Sequence, residues 1–262
     1  MTKSFKMLSV VLALFANVAF AADNSIYIDQ AGDNSTIGVT QSGAGNVVRG
    51  IQGVGTSNAT PAKIDGNGNT VTVNQVGQSN TLDMGINTSA ATGATDGNSY
   101  SYSVTGNNAT AVINSNNAGT GVSGSNTVAI TQTGNNANAN VNILGSKNVL
   151  NVTTSGGANN SVINTTNGDS NTNNISMTGG GANSATINQT TSNADITLTS
   201  VGASNTFTVS QDGTAGTNGH STTLDFTGSS NTATVTQAGS IDTTVNVKSV
   251  GSGNAFTINT HN

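Results

Sequence analysis

Side-chain amides recur at a fixed interval in this chain, and an amide can donate and accept hydrogen bonds at once. Gln30, Gln41 and Gln52 lie eleven residues apart, and Gly32 and Gly43 follow the first two at the same offset. The fullest copies of the unit read N-x-Φ-x-Φ-x-Q-x-G, where Φ is apolar: Asn69 to Gly77, Asn126 to Gly134, Asn205 to Gly213 and Asn231 to Gly239. Amides stacked like above like would form ladders of the kind that run along cross-β structures. That arrangement satisfies polar groups whose burial alone would be costly.

Other chemistry has little to work with. His220 and His261 are far apart, no two carboxylates share one strand face at catalytic spacing, and the chain has no Cys. Asp65-Gly66-Asn67-Gly68-Asn69 has the opening of a calcium loop. Thr70 stands where the loop needs glycine, however, and Val76 where it needs the closing glutamate. Gly179-Gly180-Gly181 precedes no phosphate-binding helix and reads as a corner. The chain is therefore expected to hold no metal or cofactor and to be no enzyme.

The elements that must position the amides are short strands. Ile26 and Ile28, then Ile37 and Val39, alternate ahead of the glutamines, as in a strand with one buried face. Because side chains alternate between faces, the Asn, both apolar residues and the Gln of one unit share a face. The glycines at Gly32, Gly43, Gly77, Gly134, Gly213 and Gly239 mark corners, where positive φ is needed. About seven strand residues and four corner residues make one arm, and two arms make a coil of about 22 residues at the ~4.8 Å strand spacing. The fold expected is an all-β solenoid of about eighteen arms in nine rungs, about 40–45 Å long. One rung buries too little apolar surface to stand alone, so an end rung should fray or recruit another chain.

Along the chain, residues 1–21 read as a signal peptide: Lys3 and Lys6, an apolar run from Met7 to Ala16, and Ala19-Phe20-Ala21 for cleavage. Residues 22–262 are then one exported repeat domain. Charged residues are only 6% and aromatics 3% of the chain, which excludes an ordinary globular core. The acidic side chains are all Asp, and losing the signal makes the chain more acidic than its formal −5, so nucleic acid is not an expected partner. Residues 56–68, with Pro61, break the period and read as a protruding corner loop; 87–99 and 214–222 read as further excursions. Asp29, Asp83, Asp195, Asp225 and Asp242 are expected to face solvent, where like charges on adjacent rungs would slow assembly.

The S/N-x-Φ-x-Φ-x-Q-x-G-x-x-N arrangement resembles the curlin repeat of bacterial curli fibres. Tyr27 to Gly32 and Val73 to Asn80 are especially close to it, and Val209 to Gly213 and Val235 to Gly239 match in part. The resemblance implies a secreted subunit whose β-arch repeats stack into a solenoid and polymerise into extracellular amyloid for biofilm matrix and adhesion. It also implies that Gln30, Gln41, Gln75, Gln132, Gln211 and Gln237 are ladder residues, with Asn46, Asn69, Asn80, Asn126, Asn205 and Asn231. Partners would be further copies of the chain, an outer-membrane secretion pore, a nucleator subunit and host or abiotic surfaces. The match is uneven, since Ser200, Thr154 and Ile143 replace Gln in some arms and the Gly- and Asn-rich leader of the major curlin subunit is missing.

Two other readings use the same fold. Thr-x-Thr at outward positions, such as Thr206 and Thr208 or Thr232, Thr234 and Thr236, resembles the flat face of ice-binding solenoids, although Thr suits any exposed strand position. An adhesin or phage-fibre shaft would present the excursions as tips, but an export signal argues against the phage form.

Overall fold

The computed structural model describes residues 23–52, 60–87, 97–116, 125–156, 161–179, 181–213 and 219–261. The signal-peptide segment lies outside these residues, as do most of the excursions expected at 87–99 and 214–222.

Among the described residues, twenty-one strands follow one another with no helix between them. The first seven are β1 (Ser25–Ile26), β2 (Ile28–Ala31), β3 (Thr36–Ser42), β4 (Val47–Arg49), β5 (Ala62–Asp65), β6 (Thr70–Val76) and β7 (Thr81–Asn87). The middle of the coil holds β8 (Ser99–Thr105), β9 (Thr110–Asn116), β10 (Thr127–Thr133), β11 (Asn138–Leu144), β12 (Val149–Ser155), β13 (Ser161–Asn167) and β14 (Ile175–Thr178). The last seven are β15 (Ser184–Gln189), β16 (Asp195–Ser200), β17 (Thr206–Asp212), β18 (Ser221–Phe226), β19 (Thr232–Ala238), β20 (Thr244–Ser249) and β21 (Ala255–His261).

Successive arms alternate between two parallel sheets, so the chain is a β-solenoid. The smaller sheet has nine strands, in the order β20-β18-β16-β14-β12-β10-β8-β6-β3. The larger has twelve, following β1-β4-β7-β9-β11-β13-β15-β17-β19-β21, with β2 and β5 beside that path. Nine strands in the smaller sheet put the rung count close to the expectation. Register runs like on like: Val128 pairs Leu150 and Thr206 pairs Thr232. Alternation holds throughout, and β6 shows it well, with Val71, Val73 and Gln75 buried between exposed or half-buried neighbours. The inner side chains of both sheets meet in one core that runs from Val39 to Val247.

Corners are tight because each fully described one contains one or two left-handed residues. In Gly77-Gln78-Ser79-Asn80 these are Gly77 (φ 123°) and Ser79 (φ 56°). A Cβ on Gly77 would lie 1.8 Å from the carbonyl oxygen of Gly106 one rung on. Glycine is required there twice over, for its backbone angle and for the closeness of the next coil. The other five corner glycines, Gly32, Gly43, Gly134, Gly213 and Gly239, also have positive φ.

The first excursion is not a corner loop. β1 and β4 pair with each other, β2 pairs with β5, and β7 pairs with both β4 and β5. The chain therefore leaves the sheet after Arg49 and re-enters at Ala62 in the middle of one arm, completing it with β5. Gly66 to Gly68, placed in the loop by sequence, form an ordinary corner with Asn69. The register explains the error: Ala62 continues the alternation that Val48 began, so no strand position is lost.

Candidate functional site: ladders and uncovered rungs

The asparagines that open the arms form two columns. At the start of larger-sheet arms, Asn46 Oδ1 accepts the backbone N–H of Asn80 (3.1 Å), and Asn80 Oδ1 that of Ala109 (2.9 Å). Further along, Asn205 serves Asn231 and Asn231 serves Asn254, each at 3.0 Å. At the start of smaller-sheet arms, Asn69 Oδ1 receives from Asn98, Asn98 from Asn126, Asn126 from Asn148, Asn148 from Asn171, and Asn171 from Ala194. The same side chains donate Nδ2–H forward to the next corner's carbonyl: Asn46 to Gly77, Asn80 to Gly106, Asn126 to Gly145 and Asn205 to Gly228, all within 2.8–2.9 Å. These ladders are thus mainly side chain to backbone, where amide-to-amide stacking was expected. Asn46, Asn80, Asn126 and Asn205 each clamp the corner of the following rung. All six predicted asparagines are fully buried.

The glutamine columns are shorter. Gln41 Nε2 donates to Gln75 Oε1 (2.7 Å), and near the other end Gln189 donates to Gln211 (2.8 Å) and Gln211 to Gln237 (3.0 Å). Gln189 was not among the predicted residues, although it occupies the same place in β15. Gln132 has no Gln neighbour. It stacks between Val104 and Thr154, and its Oε1 accepts from the Tyr102 hydroxyl at 3.0 Å. Gln30 pairs in register with Ile64 and turns its Nε2 back to the Gly32 carbonyl, so it is not brought into an amide ladder. The mid-arm excursion is the reason. It carries Gln52 out of the strand and puts Ile64 in the place Gln52 would have filled. Ile86, Ser115, Ile143 and Thr166 then continue that column as far as Gln189.

A third ladder went unread in the sequence. The residue after the corner glycine accepts a backbone N–H from the preceding rung: Asn67 from Asp33, Asn107 from Gln78, Asn135 from Asn107 and Asp169 from Ser146. Ser229 and Ser252 do the same with their hydroxyls. The only signal for it was the polar residue after each corner position.

Outward acids do not stack on one another as expected. Asp29 faces Lys63 in register, Arg49 Nε lies 2.7 Å from Asp83, and Lys248 lies 3.4 Å from Asp225. The charge pattern matches adjacent rungs instead of separating them. Inside, burial pushes the Tyr100 and Tyr102 phenols above their ordinary range. His220 takes a buried column position above Ala194, with Nδ1 2.9 Å from Thr243 Oγ1. Among the described residues, no group of three or more metal-ligating side chains comes together.

The outermost rungs are built from the same inner residues but are less covered. Ile26, Ile28 and Ile37 at one end, and Phe256 and Ile258 at the other, are only partly buried, while their counterparts in the middle are closed off. Among the described strands, β21 pairs on one side only, with β19, and β20 only with β18. No family model, curated protein or solved structure matches this chain, so the arrangement itself carries the functional reading.

Proposed function

We propose that the chain is a secreted, curlin-like structural subunit that joins end to end into extracellular amyloid fibres of a biofilm matrix. The observation that supports this most is the half-covered inner face of the outermost arms, which keep the core pattern of alternate apolar residues. A parallel strand laid on β21 in the prevailing register would set apolar residues over Phe256 and Ile258 and close them. Signal cleavage near Ala21 delivers the chain to the outside. An outer-membrane pore, a nucleator and adhered surfaces are its partners in this reading, and nucleic acid, cofactors and catalysis have no part in it. The test is electron microscopy and seeded thioflavin kinetics on the mature protein at neutral pH. Fibres with a cross-β spacing of ~4.8 Å along their axis are expected, and a stable monomer at high concentration refutes the reading.

One observation favours the ice-binding alternative. Thr186, Thr208, Thr234 and Thr257 stack in register on the outer face of the larger sheet. Thermal hysteresis in the soluble protein would establish it, and a fibre subunit is expected to show none.

A further inference from the structure

The two outer faces of the solenoid differ. On the larger sheet the first three arms carry Asp29, Arg49, Lys63, Asp65 and Asp83, and the excursion after Arg49 leaves through this face. Ile51 lies over the outer side of that sheet, where a Cβ on Gly85 would come 3.3 Å from its Cδ1. On the smaller sheet the six strands β3, β6, β8, β10, β12 and β14 hold no charged residue at any outward position. Ser and Thr fill most of these positions, and the largest outward side chains there are those of Val and Asn. Charge returns to this sheet only with Asp195, Asp225 and Lys248 in the later arms.

We infer that this uncharged face pairs with the same face of a second copy, joining solenoids side by side. Three arguments select that occupant. The chain is net negative, so copies repel wherever their carboxylates approach, and this six-strand patch is a wide region free of them. Short Ser and Thr side chains allow two sheets to approach to about 10 Å and interdigitate, as in steric zippers. Five strands of seven residues and one of four, at ~4.8 Å between strands and ~3.3 Å per residue, give a footprint of about 620 Å² per copy. Two such footprints total about 1,200 Å², at the lower end of the range of specific interfaces. The pairing is isologous and closed, so it widens an assembly without lengthening it. It is independent of how the outermost rungs behave.

The experiment uses the mature protein, a double variant Thr72→Lys/Thr131→Lys on the face, and a control Thr208→Lys/Thr234→Lys on the larger sheet. Unchanged circular dichroism shows that each variant keeps the fold. In fibres, wild type and control are expected to have twice the mass per unit length of the face variant. In sedimentation of the soluble chain, wild type and control are expected to dimerise and the face variant to stay monomeric, with added salt strengthening the dimer by screening net charge. Failure to form fibres with dimerisation intact would refute end-to-end growth and leave the pairing supported. Dimers or double-width fibres in the face variant, or their loss in the control, would overturn the pairing. A wild-type monomer at every concentration that also forms only single-width fibres would overturn it too. Thermal hysteresis abolished by the face variant, with no pairing in wild type, would overturn it in favour of ordered water as the occupant.

Discussion

The asparagine columns and the glutamine columns sit at opposite ends of the same arms, and both are interrupted, the former by Ala109, Ala137 and Ala194, yet the asparagine runs are the longer. An arm-opening Asn bonds to backbone: it accepts an N–H and donates to a corner carbonyl of the following rung. Removing it strands main-chain groups that no apolar side chain can satisfy. An arm-closing Gln donates to other glutamines and to carbonyls that already accept a backbone N–H, such as those of Asn80, Ala194 and His220, so its column can switch to aliphatic packing without leaving a backbone group unpaired. Ile64, Ile86, Val104, Met177 and Phe226 occupy such places and are all buried. Polar stacking is therefore firmest where it satisfies a backbone N–H and exchangeable where the carbonyl it serves already has a partner.

The largest effect should come from the corner that both columns rely on. Gly77→Ala puts a methyl group into the Gly106 carbonyl and should cost about 4 kcal/mol or more, read as loss of the cooperative denaturant transition. Asn126→Ala comes next. It removes the acceptor of the Asn148 N–H and the donor to the Gly145 carbonyl, at about 1–3 kcal/mol for each buried group left unpaired. A loss equal to that of a surface substitution would break the comparison. Gln211→Ala should cost about 2–3 kcal/mol from a cavity and lost amide bonds, and Gln211→Leu clearly less. Equal losses for the two would show that the glutamine column is as obligatory as the asparagine one.

A smaller effect appears only in alkali. Burial raises the Tyr100 phenol above its unfolded value, so its contribution to stability is complete below about pH 10 and declines as pH rises further. Tyr100→Phe should flatten that decline in unfolding curves measured between pH 9 and 12, both bounds being approximate choices around the unfolded tyrosine value. Gln30→Ala should do least, within about 0.5 kcal/mol, because its side chain bonds only to its own corner.

The period, the corner glycines and the alternation of buried positions were all legible in the sequence because each depends on local geometry. Strand Thr70–Val76 and strand Ala255–His261 begin where the pattern placed them. What the pattern could not carry was an interruption inside an arm. With Asn46 and Val48 on one side of the excursion and Ala62 and Ile64 on the other, a template of consecutive residues assigns Gln52 to the column and misses Ile64. The partners of the asparagines were hidden for another reason. Spacing shows which residues stack, but not whether an amide turns towards its counterpart or towards the neighbouring main chain. The like-charge expectation failed similarly, since Asp83 finds Arg49 only once the two arms are aligned.

The detour between Arg49 and Ala62 shows that this coil can lengthen in the middle of a strand and resume on the same face with its alternation intact. Whatever is spliced there leaves through the outer side of the larger sheet, and neighbouring coils keep their alignment. The molecule thus has a natural display port, a position at which foreign peptide could be carried on a regular scaffold without rebuilding the scaffold around it.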